Sequence, residues 1–159
     1  MKIRQYNDSD QEALEKFMEV MYAFRGLTFD PDHLHLDLRR IPSTYQEPGG
    51  QFWIIADNDA VIGTVGVKIL DSHERIGEIK RFFVLSEYHG RGLGRELMGT
   101  AINFARERNL KKIRLDTGRQ AIKALSIFRK YGFYEIQRYN DNEHAEIFME
   151  LDIEAKIEG

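Results

Sequence analysis

The chain contains no cysteine, which excludes disulfides, thiolate-ligated zinc and a thiol nucleophile, and fits a reducing compartment. Proline is scarce: its three copies, at 31, 42 and 48, fall in one stretch, so the rest is free to form regular elements. There is no excess of positive charge. A net charge of −3 leaves no electrostatic case for nucleic acid. No apolar run approaches the roughly 18 residues of a membrane span, and Met1, Lys2, Ile3 and Arg4 do not begin a signal peptide. A cytoplasmic protein is expected. What is present suits one globular core: 159 residues, 42% of them apolar and 31% charged. The expectation is a single domain over residues 1–153 and a short tail over 154–159.

Residues 77–106, GEIKRFFVLSEYHGRGLGRELMGTAINFAR, read as strand, glycine loop and helix. The apolar run Phe82, Phe83 and Val84 suits a buried strand. From Leu93 the apolar positions Leu97, Ala101 and Phe104, flanked by Met98, Ile102 and Ala105, form one helical face. Gly90, Gly92 and Gly94 at the start of that helix each cost about 1 kcal/mol relative to alanine. Close approach of an anionic ligand is one reason to keep them, because the first helical turn presents unpaired N–H groups and partial positive charge. Arg91 and Arg95 add charge there. The plainer alternative is a tight turn whose glycines serve geometry alone.

Two familiar phosphate loops do not fit. A dinucleotide fingerprint needs a glycine where Arg95 or Leu97 stands, and no Gly-Lys-Ser/Thr run exists for a P-loop. His33 and His35 among Asp30, Asp32 and Asp37 invite a metal reading, but alternate residues diverge and no third histidine is near. No metal is expected.

In chain order, residues 2–6 read as a strand. Ser9 and Glu12 have capping-box spacing, and Leu14, Phe17, Met18 and Met21 mark a packing helix. Periodicity breaks over 26–50, where 32–40 could form a short helix. Residues 51–56 and 60–70 form a hairpin around Asp57, Asn58 and Asp59, followed by the strand into the glycine loop. Strand 112–117 follows, then a helix containing Ile122, Leu125 and Phe128 that Gly132 closes. Strands are expected over 133–139 and 145–151.

This chain resembles the GNAT superfamily of acetyl-coenzyme A dependent N-acetyltransferases. His89-Gly90-Arg91-Gly92-Leu93-Gly94 matches the family's Arg/Gln-x-x-Gly-x-Gly/Ala signature except at its first position, now histidine. Residues 124–133 match the later Ala-x-x-x-Tyr-x-x-x-Gly-Phe motif, with Phe128 at the tyrosine that often protonates the departing thiolate and Ala121 where asparagine is common. The resemblance implies a mixed α/β fold, a mostly antiparallel sheet of about seven strands with helices on both faces. It implies acetyl-CoA as co-substrate, held by Phe82, Phe83, Val84, His89, Gly90, Arg91, Gly92, Leu93, Gly94, Arg95 and Phe128.

Acetyl transfer needs a neutral amine, a polarised carbonyl and a place for thiolate charge. By resemblance, backbone groups at Phe83 and Val84 meet the thioester, and Glu78 lies where some members carry a base. With Phe128 unable to donate, the thiolate falls to Tyr131, another tyrosine or water. Core is the favoured reading of Tyr131, a turn from Phe128, while Glu78 reads equally as a solvated or structurally paired strand carboxylate. The acceptor is expected to be a small-molecule or peptide amine, with 26–50 as one wall of its site, and a homodimer is left open. A coenzyme A binding module without catalysis, or an interaction domain using no cofactor, are the rival readings.

Overall fold

The computed structural model describes residues 1–153; the expected tail, 154–159, lies outside them. The elements are β1 (Lys2–Gln5), α1 (Gln11–Phe24), β2 (Gln51–Asp57), β3 (Ala60–Asp71), β4 (Ile76–Val84), α2 (Leu93–Glu107), β5 (Lys112–Thr117), α3 (Ile122–Tyr131), β6 (Tyr134–Ile136) and β7 (Ile147–Asp152). The strands form one seven-stranded sheet in the order β1-β2-β3-β4-β5-β7-β6. Every neighbouring pair is antiparallel except β4 and β5. The expected mixed sheet with helices on both faces is what the chain forms.

Side chains sort between the two faces by strand alternation. On β2, Phe52 and Ile54 join a cluster with Leu14, Phe17, Met18 and Tyr22 of α1. Trp53 and Ile55 join the opposite cluster with Leu97, Met98, Ala101 and Ile102 of α2 and Leu125 and Phe128 of α3. β2 and β3 are thus apolar on both faces, as strands sandwiched between helices must be. Each fully buried leucine or isoleucine there contributes about 1.5–3 kcal/mol.

Some boundaries differ from expectation. The capping box belongs to Asn7 and Asp10, not Ser9 and Glu12: the Asn7 side chain accepts from the Ser9 N–H, and the Asp10 carboxylate accepts from the Asn7 N–H. It caps a 3₁₀ turn that leads into α1. Instead of a helix over 32–40 there is a 3₁₀ turn at Leu36–Arg39, followed by a π turn at Pro42–Gln46 whose leading proline has no N–H to leave unpaired. β6 stops at Ile136, short of 139. Beyond it the Arg138 guanidinium donates to the carbonyls of Asn140, Asn142 and Ala145, so a side chain organises a loop where ladder pairing was expected.

Candidate active site

The parallel pairing of β4 with β5 covers only Ile76, Gly77 and Glu78 against Lys112, Ile113 and Arg114. Beyond Glu78 no described strand pairs with β4 on that side, while β5 continues to Thr117 paired only with β7. The two strands splay. The β4 edge over residues 79–84 therefore lines a gap in the sheet that leads toward the glycine loop.

Within this edge lies a bulge. Thr64 of β3 pairs with Phe83 and Gly66 with Lys80, so Val65 faces both Arg81 and Phe82. Arg81 sits in the left-handed region at φ 53°, unusual for a long side chain. The buried Thr64 hydroxyl donates to the Arg81 carbonyl at 2.7 Å and holds the kink. The bulge resets alternation. Ile79 and Phe82 pack with the α2 and α3 cluster, as does Val84. Phe83 packs with the α1 cluster. The Arg81 guanidinium reaches the α1 side as well, where it donates to Asp37 at 2.6 and 3.0 Å and to the Tyr22 hydroxyl at 2.9 Å.

The glycine loop lies at the α2 end of the gap. Gly90 and Gly92 have φ values of 83° and 79°, and a Cβ on either would meet nothing within 4 Å. Backbone is thus exposed to ligand at the N-terminus of α2, with Gly92 as its N-cap and no side-chain cap in place. Gly94 has a different reason: a Cβ there would lie 2.8 Å from Ile127 Cδ1 and 3.5 Å from Phe82 Cζ, so it lets α3 and β4 pack against the helix start. Leu93 is buried beneath the loop. Arg91 stacks over the Tyr88 ring at 4.9 Å, while Arg95 is exposed on the first turn.

His89 does not point outward into the loop. Its Nε2 donates to the Val84 carbonyl at 2.9 Å, which leaves Nδ1 to accept from Lys123 Nζ at 3.1 Å. The imidazole thereby ties the loop to the end of β4 and brings a lysine from α3 beside it. Lys123 was not foreseen, since only the fold closes its 34-residue separation from His89. Ala121, the N-cap of α3, makes no side-chain cap.

Packing places two candidate residues of α3. Phe128 is 4% exposed, with ring centroids 5.6 Å from Phe82 and 5.8 Å from Phe133, so it packs in the core between β4 and the end of α3. Tyr131 donates its only hydroxyl proton to the Arg95 carbonyl at 2.8 Å and lies against Gly99. It clamps α3 to α2.

Glu78 stands where the gap opens and is 4% exposed. Its Oε2 accepts from the Tyr139 hydroxyl at 2.5 Å, and its Oε1 has Lys80 Nζ 4.0 Å away. Burial, then the Glu78 carboxylate, pushes the Tyr139 hydroxyl well above its ordinary pKa, so the phenol stays protonated and keeps donating. The Arg114 guanidinium lies over the Tyr139 ring at 5.4 Å and pairs with Glu150. Tyr139 had been read as an ordinary strand residue, and nothing local in its sequence marks it.

His35 and His33 serve the loop. His35 Nδ1 accepts from the Asp30 N–H at 2.8 Å and its ring stacks on Tyr22 at 4.2 Å, while His33 Nδ1 lies 3.2 Å from Asp30. Among the described residues no group of three or more such side chains could hold a metal ion.

Residues 14–133 match the sequence profile of the Acetyltransferase (GNAT) family, and the chain belongs to that family. It is an acyltransferase of the N-acetyltransferase type. It is 27% identical over 137 residues to the uncharacterized N-acetyltransferase YjgM of Escherichia coli (strain K12), covering 84% of this chain and 82% of that protein. Rat N-acetyltransferase 8B is 29% identical over 67% of this chain, and the chain spans 50% of that longer protein. Among solved structures, a GNAT-family acetyltransferase from Staphylococcus aureus Mu50 superposes with a TM-score of 0.85 at 28% identity, covering 96% of this chain and 98% of that one. The fold is also that of the putative acetyltransferase yncA from Salmonella typhimurium, solved with acetyl-CoA, with a TM-score of 0.73 at 20% identity over 96% and 94% of the chains.

Proposed function

We propose that this protein transfers the acetyl group of acetyl-CoA directly to a primary amine of a small molecule or peptide, with both substrates bound together. The observation that carries this reading is the gap beyond Glu78, which has exposed glycine-loop backbone toward one face and a buried carboxylate on the other. The backbone of Gly90, Gly92 and the first α2 turn, with Arg91, Arg95 and Lys123 nearby, would hold the pyrophosphate. Of Phe83 and Val84, strand alternation turns the Val84 N–H to the open β4 edge, since the neighbouring Leu85 N–H is bonded to Ile62 on the β3 side, and it would meet a thioester oxygen there.

In the reaction the amine nitrogen forms a bond to the thioester carbonyl carbon, the carbon–sulfur bond breaks, and the nitrogen gives up a proton. Glu78 is the candidate acceptor of that proton, directly or through one water, and Oε1 is the oxygen it has free of hydrogen bonds. Tyr139 holds the carboxyl by its other oxygen. Phe128 has no proton to give and the Tyr131 hydroxyl is engaged with the Arg95 carbonyl, so in this reading water or the amine's own proton would reach the thiolate.

Residues 1–153 act as one domain in this reading, in a reducing compartment such as the cytoplasm. The test is an initial-rate study with acetyl-CoA and a panel of amines, following free thiol and the mass of the acetylated product. Intersecting double-reciprocal lines support the ternary complex. Parallel lines with an isolable acetyl-enzyme would contradict it, and no product with any amine would contradict the acceptor class.

A further inference from the structure

The α1 face of β4 carries four charged or polarisable groups from one strand: Glu78, Lys80, Arg81 and Phe83. Their partners are known. Glu78 has Tyr139 and Lys80, and Arg81 has Asp37. One cation on this face is left over. Arg25, the C-cap of α1, lays its guanidinium over the Phe83 ring, 4.6 Å from the centroid. Among the described residues no carboxylate pairs with it, and no side-chain hydrogen bond engages it. Although the residue as a whole is exposed, crowding by protein lowers its pKa through burial, which Tyr22 only partly offsets. A guanidinium has five donors, so one held over an aromatic ring with none of them bonded to protein among the described residues is a seat for a planar anion.

The seat is built. Tyr22, edge-on to Phe83 at 5.9 Å, stacks with His35 and Phe29 at 4.2 and 6.0 Å, forming an aromatic wall that fixes the Phe83 ring. Asp37, the acid close to this wall, is spent on Arg81, with its carboxyl held below its ordinary value: burial opposes this, but the Arg81 hydrogen bonds and charge outweigh it. Coenzyme A phosphates are not the natural occupant. The glycine loop leads into α2, whose buried residues, Leu93 included, belong to the opposite cluster, so the sheet separates Arg25 from the pyrophosphate cradle.

We propose that Arg25 binds a carboxylate of the acceptor, so that the substrate is an amine carrying a carboxylate group. The carboxylate would lie toward Phe83 and the amine at the adjoining open edge of β4 beside the thioester, with its proton passed through water toward Glu78 farther back along the strand. This rests on the acetyl-transfer reading above.

The test compares the L-amino acids with their C-terminal amides as acceptors, using wild type, Arg25→Gln and Arg25→Lys. Because a hydrogen bond to a charged group typically changes affinity by about 10- to 100-fold, the free carboxylate form should lead its amide by that factor in kcat/KM. Arg25→Gln should erase the lead through KM, leaving the amide rate and acetyl-CoA affinity unchanged, and Arg25→Lys should restore part of it. Calorimetry with N-acetyl-L-phenylalanine and its amide gives a second reading that needs no turnover: the acid should bind more tightly, in an Arg25-dependent way. Equal rates for acids and amides, equal losses in Arg25→Gln, or no Arg25-dependent binding of the acid would each overturn the proposal. Failure of the transfer reading would look different, as loss of acetyl-CoA binding in the wild type.

Discussion

Arg81 and Asp37, 44 residues apart in the chain, meet in a two-pronged ion pair at 2.6 and 3.0 Å, with each side chain 17% exposed. The pair couples the β4 bulge to the loop between α1 and β2. Arg81 holds a strained backbone conformation, and Asp37 with the Tyr45 hydroxyl, which donates to it at 2.6 Å, gives that conformation a reason to persist.

Breaking the pair should cost about 3 kcal/mol, because the partner left behind remains largely buried and uncompensated. For a chain of this size that is a fall of roughly 6–12 °C in Tm, measurable by thermal unfolding of Arg81→Met and Asp37→Asn. The pH dependence has a definite sign. The folded Asp37 carboxyl is depressed below its ordinary value, so its contribution is present above about pH 4 and is lost as pH falls through the lower folded value. The stability gap between wild type and Asp37→Asn should therefore narrow from pH 5 toward pH 2. A gap constant over that range would mean the pair is not the source.

Glu78→Gln should lower kcat/KM for amine transfer by about 10²–10⁴-fold, the usual contribution of a positioned base, with acetyl-CoA affinity unchanged. Tyr139→Phe should fall about 10-fold, since it removes the hydroxyl that orients the carboxyl but leaves the carboxyl itself. If Glu78→Gln keeps wild-type rates at every pH, the proton goes to water without it.

Phe128→Tyr should not speed turnover. The added hydroxyl would enter the aromatic packing between Phe82 and Phe133, where an unpartnered polar group costs about 1–3 kcal/mol. The expected result is a lower Tm with rates within a few-fold of wild type. A rise of 100-fold would show that the hydroxyl reaches the leaving sulfur and that Phe128 is not sealed in the core.

The strand, glycine loop and helix were legible because their signals are local: an apolar run, unusual glycines and a helical apolar stripe over Leu93, Leu97, Ala101 and Phe104. The split of the site between two faces was not. It depends on a bulge at Arg81, a residue type that rarely adopts positive φ, and on Asp37 from a loop without periodicity. Tyr139 was hidden for a related reason, since it follows β6 in a segment shaped by the Arg138 guanidinium rather than by strand pairing. The partners of Tyr131 and Phe128 were not legible either, because a helix wheel shows which residues share a side, not that Arg95 of α2 and Phe82 of β4 meet that side. Gly94 has a packing role that the loop's local pattern does not show, since the atom nearest to where its side chain would stand is Ile127 Cδ1, on a helix later in the chain.

The central claim is that bare backbone at Gly92 holds the pyrophosphate of acetyl-CoA, and titration calorimetry of wild type, Gly92→Asn and Gly92→Asp tests it most directly. Both variants add a Cβ at φ 79° with open space around it, and asparagine tolerates that conformation, so the pair separates charge from backbone strain. The account predicts saturable acetyl-CoA binding in the wild type, modest weakening in Gly92→Asn and loss of about 100-fold or more in Gly92→Asp, where a carboxylate meets the phosphates. Equal affinity in Gly92→Asp and wild type, with both folded, would contradict it.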